Sequence, residues 1–197
     1  IYQPDRHRTL IMRIIERYLA DYPSPKRGVP RFLLNDALRY WRTLAVDYQA
    51  KRWEQVGRQD GHSSWGLRYL KLLISRKTSF AGFIIPLLLC DKAESRYLFE
   101  QFEMPALARL VQVYDRDPNV GDAVRTILKV SEEFAVALAD ESFREELKNV
   151  EAPAYQEKWP ARFRSMRKRA DDLQEALEYI LFESATLQKK ARRYLSF

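Results

Sequence analysis

Four pairs of carboxylates lie close enough in sequence to suggest chemistry: Asp115/Asp117, Glu132/Glu133, Glu145/Glu146 and Asp171/Asp172. The first has the Asp-x-Asp spacing that can hold a divalent metal for phosphoryl or nucleotidyl transfer. That chemistry also needs an upstream Gly-Ser turn to hold the nucleotide phosphates. The upstream stretch here reads Gln101-Phe102-Glu103-Met104-Pro105, and its flanks have helical spacing. Asp115 and Asp117 therefore read as an interhelical turn with a helix N-cap. The other pairs read as solvated helix faces.

Nucleophiles and metal ligands are sparse. His7 and His62 are far apart, and neither has a second His or Cys at metal-ligand spacing. A structural zinc site wants four such ligands. Cys90 ends an apolar run and reads as a core residue. The sequence has no Gly-Lys-Ser/Thr phosphate loop, no Gly-x-Gly-x-x-Gly and no Ser nucleophile elbow. No catalytic residue and no metal ligand is assigned. A lone cysteine excludes an internal disulfide and fits a reducing compartment, so a cytoplasmic location is expected.

Polar side chains concentrate in one otherwise apolar stretch, from Asn35 to Lys77. Asp36, Tyr40, Thr43 and Asp47 recur at helical spacing, with Arg39 and Arg42 beside them. Arg68, Lys71, Arg76 and Lys77 follow on the next helix. Burying such groups is costly unless they are paired. Two readings stay open. In one, Asp36 reaches Arg39 and Tyr40 within its own helix. If Asp36 were buried there, Arg39→Ala would then cost about 3–5 kcal/mol. In the other, the stripe is a polar wall facing a ligand. The cations would hold phosphates, and Tyr40, Trp41, Trp65 and Tyr69 would stack on a base.

The elements that must position these groups are helices. Apolar spacing of three and four dominates, and the nine prolines fall mostly where helices begin or end. Helices are expected at about 5–20, 31–54, 65–89 with a kink at Pro86, 92–102, 105–114, 117–138, 142–149 with Ser142 as cap, and 160–194. Basic and polar loops fall at 26–30 and 57–64. The apolar run Phe80–Cys90, broken only by Gly82 and Pro86, is about half a membrane span and reads as a core helix. The expected fold is all-α, a multi-helix bundle with a long C-terminal helix. A single domain over 1–197 is expected, with a soft boundary near 150–159.

Lys plus Arg number 34 against 27 Asp plus Glu, a net charge of +7 that suits nucleic acid, nucleotide or an acidic protein. The densest cations are Arg162, Arg164, Arg167, Lys168 and Arg169, then Lys189, Lys190, Arg192 and Arg193. Acidic residues between the two blocks argue against an uninterrupted basic groove. The opening residues carry no signal segment, and the missing initiator Met fits a processed chain or a piece of a longer one. No membrane partner is expected.

The segment Phe32–Tyr48, with Trp65-Gly-Leu-Arg-Tyr-Leu-Lys-Leu-Leu-Ile-Ser-Arg-Lys77, resembles the helical region that follows the catalytic domain in some bacterial nucleotidyltransferase-domain proteins. The second piece is loosely similar to the Gly-Leu-Arg-Asp-Ile element of the nitrogen-regulatory uridylyltransferases, with Tyr69 in place of the Asp. The likeness covers roughly residues 31–85. It implies an accessory helical domain that positions nucleotide or acceptor. Catalysis and any Mg would belong to a separate catalytic domain or chain, and no cofactor is expected here. Arg39, Tyr40, Arg42, Asp47, Arg68 and Lys71 are the candidate substrate-binding residues. The alternatives are a standalone basic binding protein, for nucleic acid or an acidic partner, and a helical enzyme with a site built from scattered residues.

Overall fold

A computed structural model describes residues 3–20, 28–56, 64–150 and 159–195. Residues 26–27 and 57–63 of the loops expected at 26–30 and 57–64, with His62, and residues 151–158 lie outside the described residues. The chain is all-α, with no strand among the described residues. Its helices are α1 (Pro4–Ala20), α2 (Arg31–Val56), α3 (Trp65–Lys71), α4 (Lys77–Leu89), α5 (Ser95–Glu103), α6 (Ala106–Arg116), α7 (Gly121–Ala139), α8 (Glu141–Lys148), α9 (Ala161–Phe182) and α10 (Gln188–Leu195).

Helices α3 and α4 form one continuous rod, Trp65–Leu89, joined by a π-helical turn at Leu72–Arg76. The expected interruption was Pro86; the wide turn had no sequence signal. Its packing cause is visible in the burial. Leu70, Ile74 and Thr78 are all buried at four-residue spacing. A regular α-helix rotates such a row by about 40° per step, and the wider turn takes that rotation up. The rod is long and apolar enough to cross a membrane by length and composition alone. In this fold Ile84–Cys90 is buried inside the protein, against α2, α5 and α6.

Pro86 sits inside α4 without breaking it. Proline has no N–H, so it leaves the carbonyl four residues earlier without its helical donor. That carbonyl belongs to Gly82, and Arg109 on α6 donates to it at 3.1 Å. The same guanidinium donates to the carbonyls of Met104 at 2.8 Å and Phe102 at 3.1 Å. Gly82 also lets α6 approach closely: a Cβ there would lie 2.6 Å from the Ala106 carbonyl oxygen. At the far end of α4, Arg116 donates to the Leu89 carbonyl at 2.9 Å and Lys190 to that of Cys90 at 3.2 Å. Cations suit the negative end of a helix dipole.

The long C-terminal helix is two helices. The chain leaves α9 after Phe182 and re-forms α10 at Gln188. Asp117, 4% exposed between α6 and α7, accepts the Ala185 amide at 3.0 Å as well as the Asn119 amide that it caps. Ser184, also buried, accepts the Leu187 amide. The expected N-cap role of the Asp115/Asp117 pair thus falls to Asp117, while Asp115 is exposed. In α8 the cap is Asp140 rather than Ser142, whose amide donates to it. One contiguous apolar core runs from Ile15 to Ala191, including Phe134 and Leu173 where α7 packs on α9.

A candidate ligand groove between α1, α2 and the π turn

A groove of about 630 Å³ separates α1 and α2 from the π turn and the start of α4. Its walls are largely apolar: Ile14 from α1, Leu33, Ala37 and Leu44 from α2, and Phe80 and Phe83 from α4. Ile14 stands at the groove, 46% exposed, while Ile15 is buried. The polar groups converge from both sides. Tyr18, Asp36 and Tyr40 face Ser75, Arg76 and Ser79.

Tyr18 Oη donates to Asp36 Oδ2 at 2.7 Å, bridging α1 to α2. That bond, then burial and the nearby carboxylate charge, raise the Tyr18 pKa, as a phenol donating to an ionised carboxylate requires. Arg39 adds a second contact to Asp36 at 3.5 Å, from a side chain 72% exposed. The intrahelical pair expected from the sequence therefore exists, but on the surface. It carries no buried charge whose loss would cost several kcal/mol.

Arg76 differs. It is half-buried and forms no ion pair with any described residue. The π turn places it and Ser75 on the groove wall. Tyr40, 63% exposed, lies on the opposite wall with its ring open to the groove.

The other candidates, Arg39 included, are absent from the groove lining. Asp47 pairs with Lys51 along α2 at 2.7 Å. Arg42 is exposed on α2, Arg68 is half-buried on α3, and Lys71 is exposed at its end. Of the six, Tyr40 is in the groove lining. Arg76, a third-helix cation not among the six, supplies its positive charge.

The stacking platform read from the sequence is used otherwise. Trp41 stacks on Phe80 with centroids 4.9 Å apart, and Trp65 on Tyr69 at 4.6 Å. Tyr69 also meets Phe163, which in turn meets Trp159 edge-on. These rings spend their faces on each other. Lys77 points away, donating to Gln174 at 2.6 Å, with its pKa lowered by burial and then by Arg167.

Three cations of the basic run of α9 are likewise committed. Arg162 pairs with Asp140 and lies over the Phe143 ring. Arg167 pairs with Asp171 and donates to Tyr69 Oη. Arg169 joins Glu133 and Asp172. Cys90 is buried; its thiol donates to the Lys92 carbonyl at 2.8 Å, and burial pushes its pKa up to about 11. A buried neutral thiol is a poor nucleophile.

No family model, curated protein or solved structure matches this chain. The groove is therefore read from its own geometry. It is an apolar slot with one half-buried cation that no described carboxylate pairs, two hydroxyls beside it and an open tyrosine ring opposite.

Proposed function

We propose that this chain is a ligand-positioning helical domain, and that the α1–α2–π-turn groove receives the nucleotide or acceptor of a nucleotidyl-transfer reaction catalysed by another domain or chain. The observation that carries the reading is Arg76. Its guanidinium stands on a largely apolar wall with no described carboxylate paired to it, so an anion entering the groove would gain charge-assisted hydrogen bonds. Ser75 and Ser79 add hydroxyl donors, and the open Tyr40 ring offers a face to a base. The apolar walls suit the body of such a ligand, since small-molecule sites are mostly apolar with a few convergent polar groups. The resemblance of residues 31–85 to helical regions beside nucleotidyltransferase domains points the same way.

The test is a titration of the full chain with ATP and with UTP, followed by NMR. The reading expects shifts confined to Ser75, Arg76, Ser79 and Tyr40. Shifts spread over α9 and α10 instead would favour a general basic surface, and no shifts at millimolar nucleotide would reject the groove.

A further inference from the structure

We infer that a second groove, between the N-terminus of α2 and α10, is an independent site for an organic phosphate monoester. It holds about 390 Å³ and is lined by Arg31, Leu34, Asn35, Leu38, Arg193 and Tyr194, with Phe32 at its edge. Both arginines lie over the same tyrosine ring. The Arg31 guanidinium is 5.3 Å from the Tyr194 centroid and that of Arg193 is 5.5 Å.

Two like charges held around one ring lie within roughly one Debye length of each other, about 10 Å at 0.1 M salt, and repel. Neither forms an ion pair with a described residue. The contrast on α10 is direct, because Lys190 pairs with Asp91 at 3.1 Å and Arg192 approaches Glu183 at 3.9 Å. Arg31 is also the first residue of α2, a 26-residue helix. The first-turn amides of a helix have no intrahelical acceptor and form its positive end.

The groove thus brings two exposed guanidinium groups and the Asn35 side chain to one space, beside the start of α2. Guanidinium groups match a tetrahedral oxyanion and bind it with charge-assisted hydrogen bonds. Leu34 and Leu38 supply an apolar floor, and Phe32, 53% exposed, offers a ring at the rim. Inorganic phosphate would leave those surfaces unused. The fitting ligand is a small phosphate monoester with an apolar or aromatic body, bound without covalent change.

The test is calorimetry on the full chain at low salt with three probes: phenyl phosphate, inorganic phosphate and phenol. Phenyl phosphate should bind most tightly, inorganic phosphate more weakly, and phenol not measurably. Arg31→Gln and Arg193→Gln should each weaken phenyl phosphate tenfold or more, with helicity by circular dichroism unchanged. Arg193→Lys should recover part of the loss, and Arg76→Ala should leave this binding untouched. Should a Gln variant unfold, Phe32→Ala decides: it should weaken phenyl phosphate and leave inorganic phosphate unchanged. Absence of phenyl phosphate binding at millimolar concentration would overturn the site. So would equal affinity for the two phosphates, or binding insensitive to both arginine changes. Because the Arg76 groove uses other residues, its own failure leaves these outcomes readable.

Discussion

Arg109 on α6 donates to the Gly82 carbonyl on α4, the acceptor that Pro86 deprives of its helical N–H. The pair explains how a proline persists inside the most buried helix. It also ties α6 to α4 where Gly82 allows closest approach. Replacing Arg109 by Met should cost about 2–4 kcal/mol, since three carbonyls lose a charged donor. The same change made in a Pro86→Ala background should cost about 1 kcal/mol less, because the substituted alanine returns a backbone donor to Gly82. Urea unfolding of the four proteins measures this; a coupling of zero would separate the two residues.

Gly82→Ala should be destabilising by about 1–3 kcal/mol. The new Cβ would meet the Ala106 carbonyl oxygen at 2.6 Å and its Cβ at 2.8 Å, atoms that no side-chain rotation can move. Gly121→Ala is the control. Its nearest neighbour is the Tyr114 ring at 3.0 Å, which can swing aside. Thermal unfolding should separate the two variants clearly, and a Gly82→Ala protein as stable as the parent would contradict the packing described.

Arg39→Ala should change stability by no more than about 0.5 kcal/mol, as exposed ion pairs usually do. The Asp36 carboxylate keeps its bond to Tyr18 when Arg39 is gone. Tyr18→Phe, by contrast, removes the bridge between α1 and α2. It should loosen α1, read as faster amide exchange in residues 11–19, without unfolding the core.

How much of this was legible from residues alone differs by feature. The spacing of Leu34, Leu38 and Tyr48, and the prolines at 105 and 118, were enough to place α2, α6 and α7. The α9–α10 break was not legible because Glu183-Ser184-Ala185-Thr186 contains neither Gly nor Pro. The turn is held by Asp117, 68 positions away, accepting the Ala185 amide. The π turn is equally silent, being set by where Leu70, Ile74 and Thr78 must sit in the core. Within the site, the polar segment was visible, but composition does not distinguish Arg39 from Arg76. Only the groove separates an arginine in solvent from one on its wall. Likewise nothing local says that Trp65 and Tyr69 stack on each other.

Asp140 offers a pH test. Its hydrogen bond with Arg162, then that with Ser142, holds its carboxyl down at about 2. A depressed folded pKa stabilises above the unfolded value, near 3.9, and that stability is lost as pH falls through about 2. Carboxyl NMR should show Asp140 still ionised at pH 3. In Arg162→Ala the titration should move back toward the ordinary range; an unmoved midpoint would remove Arg162 as its cause.

Arg76, on the proposed reading, gives the α1–α2–π-turn groove its affinity for a nucleotide. The ATP dissociation constant of the parent chain should therefore be set against those of Arg76→Ala and Arg39→Ala, at low salt and with folding verified. Arg76→Ala should lose tenfold or more, about 1.4 kcal/mol, and Arg39→Ala should change little. Equal binding by all three proteins, or the larger loss at Arg39, would contradict that role for Arg76.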